Sequence, residues 1–144
     1  MAFKMKDAAP SDSKDVLELI QELAAHEGYS SPLTESYVTQ YLAHFGCGIL
    51  LAERDDQIIG LLSYSFIPNL FHAGNTCLIK ELVIKSEYRG KGIGSALIQA
   101  IIERAEQHDC KEISISAMPE NIPAINLYRS MGFEDEAVFL EKHF

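Results

Sequence analysis

The sequence has few cysteines, and none of them forms a recognisable metal-binding or disulfide pair. Cys47, Cys77 and Cys110 are an odd number at wide spacings, with no CxxC motif. Disulfide frameworks use even numbers of cysteines, and zinc sites use closely spaced pairs. The five histidines are also too scattered to suggest metal ligands. We therefore expect neither a disulfide framework nor a metal, and a reducing, cytoplasmic setting is the simplest interpretation.

The sequence also lacks a long apolar run and an excess of positive charge. No stretch approaches the length of a membrane span, and the beginning, Met-Ala-Phe-Lys-Met-Lys, is not typical of a signal peptide. The formal charge is −9, from 12 Lys and Arg against 21 Asp and Glu. Such a surface disfavours nucleic acid and weakly attracts small cations. We expect no membrane and no nucleic acid among the partners.

What the sequence does contain is typical of one globular domain. Its 144 residues are 47% hydrophobic and 23% charged, which predicts a single domain over residues 1–144. Helical and strand-like periodicities alternate along the chain in the order β-α-α-β-β-β-α-β-α-β. This order predicts an α/β (α+β) fold in which helices cover both faces of a mixed sheet.

Four local signals give this prediction its detail. The first helix should run to about Glu27 and stop at Gly28. Apolar runs on either side of residues 54–56 predict a hairpin, and residues 76–84 read as a central strand. Residues 133–144 should hold a last strand or two, with Val138 and Leu140 pointing the same way.

A glycine-rich segment follows the predicted central strand. Residues 89–94 read Arg-Gly-Lys-Gly-Ile-Gly and precede a helix, so backbone amides there can meet an anion such as a pyrophosphate. The dinucleotide pattern G-x-G-x-x-G and the P-loop pattern both fail. Taken alone, the glycines are equally compatible with a structural turn between strand and helix.

Two motifs together resemble a known family. Arg89-x-x-Gly92-x-Gly94 resembles the acetyl-coenzyme A motif of the GNAT superfamily of N-acetyltransferases. Residues 121–133, Asn-x-x-Ala-Ile-x-Leu-Tyr-x-x-Met-Gly-Phe, resemble its other signature. The resemblance implies a mostly antiparallel sheet with a splayed central strand pair and acetyl-coenzyme A as co-substrate. It also implies direct acetyl transfer to a primary amine without a metal, and a possible homodimer.

The same resemblance implies which residues bind acetyl-coenzyme A. Backbone amides of the central strand would pair with the pantetheine arm, and those of the glycine segment would hold the pyrophosphate. Asn121 would bind the pantetheine, although a helix N-cap is an equally good role for it. Arg129 could reach the adenosine phosphate or simply be exposed. The expected cofactor-binding residues are Leu82, Val83, Ile84, Arg89, Gly90, Lys91, Gly92, Ile93, Gly94, Ser95 and Asn121.

Two residues are candidates for the chemistry. By resemblance, Tyr128 would protonate the departing thiolate, with a core tyrosine as the alternative. Glu81 is the best candidate for the base that deprotonates the amine, directly or through a water. Regular strand alternation places Glu81 on the face opposite Lys80 and Leu82, so that only one of these neighbours faces the cleft.

The acceptor is less defined. The chain resembles, more loosely, the diamine and polyamine acetyltransferases, which have a glutamate where this chain has Lys80. Glu27 and Tyr29 lie where such enzymes begin their acceptor pocket, but a solvated helix end explains them equally well. Net acidity favours a small cationic amine. A protein N-acetyltransferase and an acyl-coenzyme A sensor without turnover are the alternatives.

Overall fold

The computed structural model describes residues 1–144. Its strands and helices are β1 (Lys4–Asp7), α1 (Ser13–His26), α2 (Glu35–Ala43), β2 (Cys47–Arg54), β3 (Gln57–Asn69), β4 (Gly74–Ile84), α3 (Ile93–Gln107), β5 (Cys110–Ile115) and α4 (Ile122–Ser130). Short 3-10 turns lie at Pro10–Asp12 and Ser86–Tyr88. This order confirms the sequence prediction through α4. None of the helices is long and apolar enough to cross a membrane.

One sheet contains all five strands, in the order β1-β2-β3-β4-β5. Neighbouring strands are antiparallel up to β4, and β5 is parallel to β4. The predicted hairpin joins β2 to β3 through Asp55 and Asp56, whose φ angles are 51° and 61°. Aspartate is one of the residues that best tolerates this left-handed conformation, which matches the twist of the flanking strands.

Helices cover both faces of the sheet, as predicted. On one face α3 contributes Leu97, Ile98 and Ile101, all fully buried, at the i, i+1 and i+4 spacing of a helix that packs along one stripe. On the other face α1 and α2 contribute Leu19 and Val38. The two apolar clusters share the sheet as their common wall, which confirms the predicted α/β fold.

The ends of the first two helices follow from local sequence. After α1, Gly28 has a φ of 81°, which is the left-handed terminator that the sequence predicted. Thr34 caps α2, because its hydroxyl accepts a hydrogen bond of 3.1 Å from the amide of Tyr37. The loop between them, residues 27–34, closes one side of a cavity described below.

The central strands separate at one end of the sheet. β4 pairs with β5 only as far as Ile79, which lies opposite Ile115, although β4 itself continues to Ile84. Over residues 80–84 the edge of β4 that faces β5 has no strand beside it. The predicted splay of the central strand pair is therefore present.

The predicted final strand is absent, so that prediction is wrong. Residues 131–144 form no helix or strand, and the side chains of Val138 and Leu140 are 84% and 86% exposed. An apolar, strand-like segment becomes a strand only where another strand supplies hydrogen bonds and a face to pack on. In this chain β5 pairs with β4 alone, and the C-terminal segment does not reach its other edge.

Candidate active site

The glycine segment forms an open cradle of backbone amides. Gly90 and Gly92 have φ angles of 73° and 83°, and a Cβ added at either would meet no atom within 4 Å. The amides of residues 90–95 donate to no other backbone group, and the first hydrogen bond of α3 runs from Ala96 to Gly92. Free amides at the N-terminus of a 15-residue helix bind anions. The cradle therefore fits a pyrophosphate.

The side chain of Arg89 fastens this cradle to the rest of the fold. Its Nε donates a hydrogen bond of 3.0 Å to the carbonyl of Ile84, and its Nη2 lies 3.8 Å from Oε1 of Glu22 on α1. The same Glu22 oxygen accepts from the amide of Ser86. Sequence reasoning missed this structural role of Glu22. Because Arg89 is engaged with Ile84 and Glu22, the amides and Lys91, which forms no ion pair, are the groups that are free for an anion.

The splayed edge of β4 supplies backbone groups beside the cradle. Leu82 and Val83 pair with Leu62 and Leu61 of β3, so one edge of β4 is occupied there. The other edge has lost β5 by this point. An extended ligand that carries amide groups can add to such an edge as an extra strand does. The side chain of Val83 is buried in the core, so any contact with a ligand belongs to the backbone.

Asn121 stands at the start of α4. Its Oδ1 accepts a hydrogen bond of 3.4 Å from the amide of Ala124, which makes Asn121 the N-cap of this helix, the alternative that the sequence allowed. The amide nitrogen of the same side chain makes no hydrogen bond within the protein. It is therefore available to a ligand, and binding to pantetheine stays a prediction. Arg129, on the same helix, is paired with Asp135 at 2.8 Å.

Tyr128 lies on α4 and packs against the apolar cluster on the α3 face of the sheet. Its ring meets that of Phe133 edge-on at a centroid distance of 6.3 Å. Burial raises the pKa of Tyr128 above its ordinary value of 10.0, because a phenolate is poorly solvated there. The phenol therefore keeps its proton near neutral pH and can donate it.

A cavity of about 450 Å³ lies on the opposite face, between the helices α1 and α2 and the strands β3 and β4. Most of its wall is apolar. The polar groups in the wall include Glu27, Tyr29, Tyr41, Ser63, Lys80 and Glu81. The structure thus brings the expected acceptor residues Glu27 and Tyr29 to the same cavity as the expected base, Glu81. Tyr128 is not part of its lining.

A β-bulge overturns the expected alternation of Lys80 and Glu81. In the β3–β4 pairing Glu81 lies opposite Ser63 and Ile79 opposite Tyr64, so Lys80 is an extra residue without a partner. A bulge of this kind re-aims side chains and is common beside active sites. Here both Lys80 and Glu81 line the cavity. The prediction that only one of these neighbours faces the cleft is therefore wrong.

Ser63 and Tyr41 are polar residues of the cavity that sequence reasoning missed. The hydroxyl of Ser63, which is buried, donates a hydrogen bond to Oε1 of Glu81. Tyr41 donates to the carbonyl of Tyr64 at 2.8 Å, and burial raises its pKa far above the ordinary value, so it remains a neutral donor. No sequence pattern marks either residue, because the position of Ser63 depends on the pairing register of β3 and β4, and that of Tyr41 depends on how α2 packs against the sheet.

The arrangement has the parts needed to move a group from an anionic ligand to an amine. The amide cradle and the splayed edge face the space for an extended, phosphorylated ligand, and Tyr128 and Asn121 lie on the helix α4 that follows β5. The cavity with Glu81 lies on the other side of the sheet. No group of three or more His, Cys, Asp and Glu side chains is arranged to hold a metal ion.

Comparison with known proteins agrees with this geometry. A family model described as "Acetyltransferase (GNAT) family" matches residues 15–133. The thialysine N-epsilon-acetyltransferase of Bos taurus is 30% identical over 148 residues, covering 94% of this chain and 86% of that protein. A solved structure described as a transcriptional regulator from Bacillus halodurans C-125 covers 99% of this chain and 100% of its own, with a TM-score of 0.88 and 25% identity. An aminoglycoside acetyltransferase from an uncultured soil metagenomic sample shares the fold, with a TM-score of 0.86, 19% identity, and coverage of 99% and 96%.

Proposed function

The chain belongs to the acetyltransferase (GNAT) family and is an acetyl-coenzyme A-dependent N-acetyltransferase, and we propose that it acetylates the primary amine of a small cationic acceptor by direct attack. The family resemblance read from the two sequence motifs is thereby confirmed. We further propose that residues 1–144 act as one N-acetyltransferase domain in a cytoplasmic setting, with a homodimer as the expected assembly.

One observation carries the proposal: an amide cradle, an unpaired strand edge and an acceptor cavity meet at the splay of β4. The free amides of residues 90–95 suit the pyrophosphate, and the edge of Leu82, Val83 and Ile84, on which the Ile84 carbonyl already accepts from Arg89, suits the pantetheine amides. The cavity that contains Glu81 begins one residue earlier on the same strand. A thioester held along this edge would therefore face the cavity.

Acetyl-coenzyme A supplies an acetyl group as a thioester, and its carbonyl carbon forms a bond to the acceptor nitrogen while the bond to sulfur breaks. Backbone amides of β4 would polarise the carbonyl oxygen and stabilise the negative charge that develops on it. A cationic acceptor loses one proton before it attacks and a second as the amide forms, while the sulfur gains one and the other leaves to solvent. The protein must therefore provide a base on the acceptor side and an acid on the thiol side.

Glu81 is the proposed base. It lines the acceptor cavity, and the hydroxyl of Ser63 holds its carboxylate by donating to Oε1. An ammonium has no lone pair, so the amine must give up a proton, directly or through a water, before it attacks. Glu81 forms no ion pair with another side chain, so its charge is available to a cationic acceptor.

Tyr128 is the proposed acid. It approaches from α4, on the side of the sheet opposite the acceptor cavity, and burial keeps its phenol protonated. Because the base and the acid lie on opposite faces of the sheet, one group would take the proton from the amine and a different group would give a proton to the thiolate. Proton transfer of this kind contributes about 100- to 10,000-fold to a rate.

A small cationic acceptor is supported by the charge of the cavity and of the whole protein. Glu27 and Glu81 both line the cavity, and the formal charge of the chain is −9. The bovine relative is named as an acetyltransferase of thialysine, an amine-bearing molecule. Attraction of cations into an acidic cleft raises their local concentration and their association rate.

The test is to incubate the protein with acetyl-coenzyme A and a panel of primary amines, and to follow thiol release together with the mass of the acetylated product. The panel contains diamines, amino acids, aminoglycosides and a peptide with a free N-terminus. Turnover on a small amine supports the proposal. Turnover on the peptide alone would assign a protein acceptor, and acetyl-coenzyme A binding without any turnover would favour the sensor alternative.

A further inference from the structure

The polar groups of the acceptor cavity include one cation beside the proposed base. Lys80 is the extra residue of the β-bulge, and it lines the cavity next to Glu81. A regular strand would have sent these neighbouring side chains to opposite faces of the sheet. The bulge therefore places a positive and a negative group in one cavity, where the sequence predicted only one of them.

The ammonium of Lys80 is not neutralised by the protein. Lys80 forms no ion pair, either with Glu81 or with another carboxylate. Its Nζ lies 5.7 Å from the centre of the Phe139 ring, in the C-terminal segment. An aromatic face attracts a cation without cancelling its charge, at about 0.5–1 kcal/mol for an exposed pair. The contact leaves the ammonium free to bind an anion.

The charges of Lys80 and Glu81 together determine which acceptors fit. A diamine would bring a second positive charge toward the ammonium of Lys80, and like charges repel in a cleft that partly excludes water. A molecule that carries a carboxylate as well as an amine would satisfy both groups. Glu27, which also lines the cavity, would accept a second ammonium of such a molecule.

We propose that the acceptor is an amino acid, and that Lys80 binds its carboxylate while its primary amine is presented to Glu81. This assignment rests on the proposed function and names the substrate class of the same site. It makes Lys80 a specificity-determining residue: its ammonium selects acceptors by their charge and takes no part in moving the proton or the acetyl group.

The decisive comparison uses pairs of acceptors that differ in one charge. L-lysine and L-lysine amide have nearly the same size and both carry amines, but only the first has a carboxylate. L-alanine and L-alanine amide form a second pair, in which the amine and the carboxylate are adjacent. The quantity to measure is kcat/KM for each acceptor with saturating acetyl-coenzyme A, and cadaverine serves as the diamine reference.

For the wild type, kcat/KM should be about 10-fold higher for the acid than for its amide in at least one pair, the size expected for one charge-assisted contact. Lys80→Met keeps the length of the side chain and removes its charge, so it should abolish that preference. Lys80→Glu should reverse it and raise the activity on cadaverine. The dissociation constant of acetyl-coenzyme A should change less than about 2-fold in both variants, since Lys80 lies outside the amide cradle.

Three results would overturn the inference. The first is an equal kcat/KM for the amino acid and its amide in both pairs. The second is a preference for the amino acid that remains in Lys80→Met, and the third is turnover on cadaverine without turnover on either amino acid. In the last case the protein would still be an amine acetyltransferase. No turnover on any of these amines, by a preparation that binds acetyl-coenzyme A, would contradict both the amino-acid acceptor and the proposed small-amine function.

Discussion

Two hydrogen bonds connect Ser63 and Glu81 across the β3–β4 pair. The hydroxyl of Ser63 donates to Oε1 of Glu81 at 2.5 Å, and the backbone amide of Glu81 donates to the same hydroxyl oxygen at 2.9 Å. One buried hydroxyl thus fixes both the backbone and the carboxylate of the residue that follows the bulge. Ser63 therefore positions the proposed base.

Replacing Ser63 with alanine tests this relationship. Ser63→Ala should lower kcat about 10-fold while changing the KM for acetyl-coenzyme A little, because it removes a hydrogen bond to a charged group far from the amide cradle. Ser65→Ala, on the same strand, is the matched control, since Ser65 makes no side-chain hydrogen bond to Glu81. Steady-state kinetics checks the result. Equal losses in both variants, or no loss in Ser63→Ala, would exclude a positioning role.

The amide cradle is tested by two glycines with nearly the same backbone conformation. Gly92 and Gly28 have φ angles of 83° and 81°, and neither has an atom within 4 Å of an added Cβ. Alanine at either position should cost about 1–2 kcal/mol of unfolding free energy, because a left-handed conformation is strained for a residue with a Cβ. Only Gly92→Ala should also weaken acetyl-coenzyme A binding, by at least about 10-fold, since its methyl group would enter the cradle.

Isothermal titration calorimetry and denaturant unfolding separate the two effects. If Gly28→Ala weakens acetyl-coenzyme A binding as much as Gly92→Ala does, the loss reflects stability alone. If Gly92→Ala binds acetyl-coenzyme A like the wild type, the cradle is not the pyrophosphate site.

The burial of Cys77 predicts how the free energy of unfolding changes with pH in the alkaline range. This thiol is fully buried on β4, and burial, followed by the charge of Cys110, raises its pKa from 9.0 to about 12. The folded protein therefore holds the thiol neutral, while the unfolded chain begins to ionise it near pH 9. This contribution to stability is complete below pH 9 and is lost as the pH rises from 9 toward about 12.

Cys77→Ala should consequently flatten the decline of the unfolding free energy between about pH 8.5 and about pH 10.5. The part removed is at most about 1.4 kcal/mol per pH unit, which is the limit for one titrating group. Denaturant unfolding across this range checks the slope, and Cys47→Ala should keep the slope of the wild type. An unchanged slope in Cys77→Ala would show that other groups cause the alkaline loss.

Much of the fold is readable from the sequence because it depends on local signals. Periodic apolar residues such as Leu97 and Ile101 predict α3, and Gly28 marks the end of α1. The glycine segment likewise places an amide cradle between β4 and α3, because both its spacing and its neighbours lie within a short stretch of chain.

The parts that could not be predicted depend on contacts between distant segments. The bulge at Lys80 arises from the register between β3 and β4, which no local pattern encodes. The hydrogen bond from Ser63 to Glu81 depends on that register, and the contact between Arg89 and Glu22 on α1 depends on tertiary packing. The final strand was predicted from its alternating apolar residues, but a strand also needs a partner.

Tyr128→Phe gives the most direct test of acetyl transfer to an amine with Tyr128 as the acid. The measurement is the initial rate of thiol release from acetyl-coenzyme A with the best acceptor amine, at about pH 8, for the wild type and the variant. The rate should fall at least about 100-fold while the dissociation constant of acetyl-coenzyme A stays within about 2-fold, because only the proton donor is removed. A variant that retains most of the wild-type rate would contradict the role of Tyr128, and a wild type that fails to bind acetyl-coenzyme A would contradict the whole account.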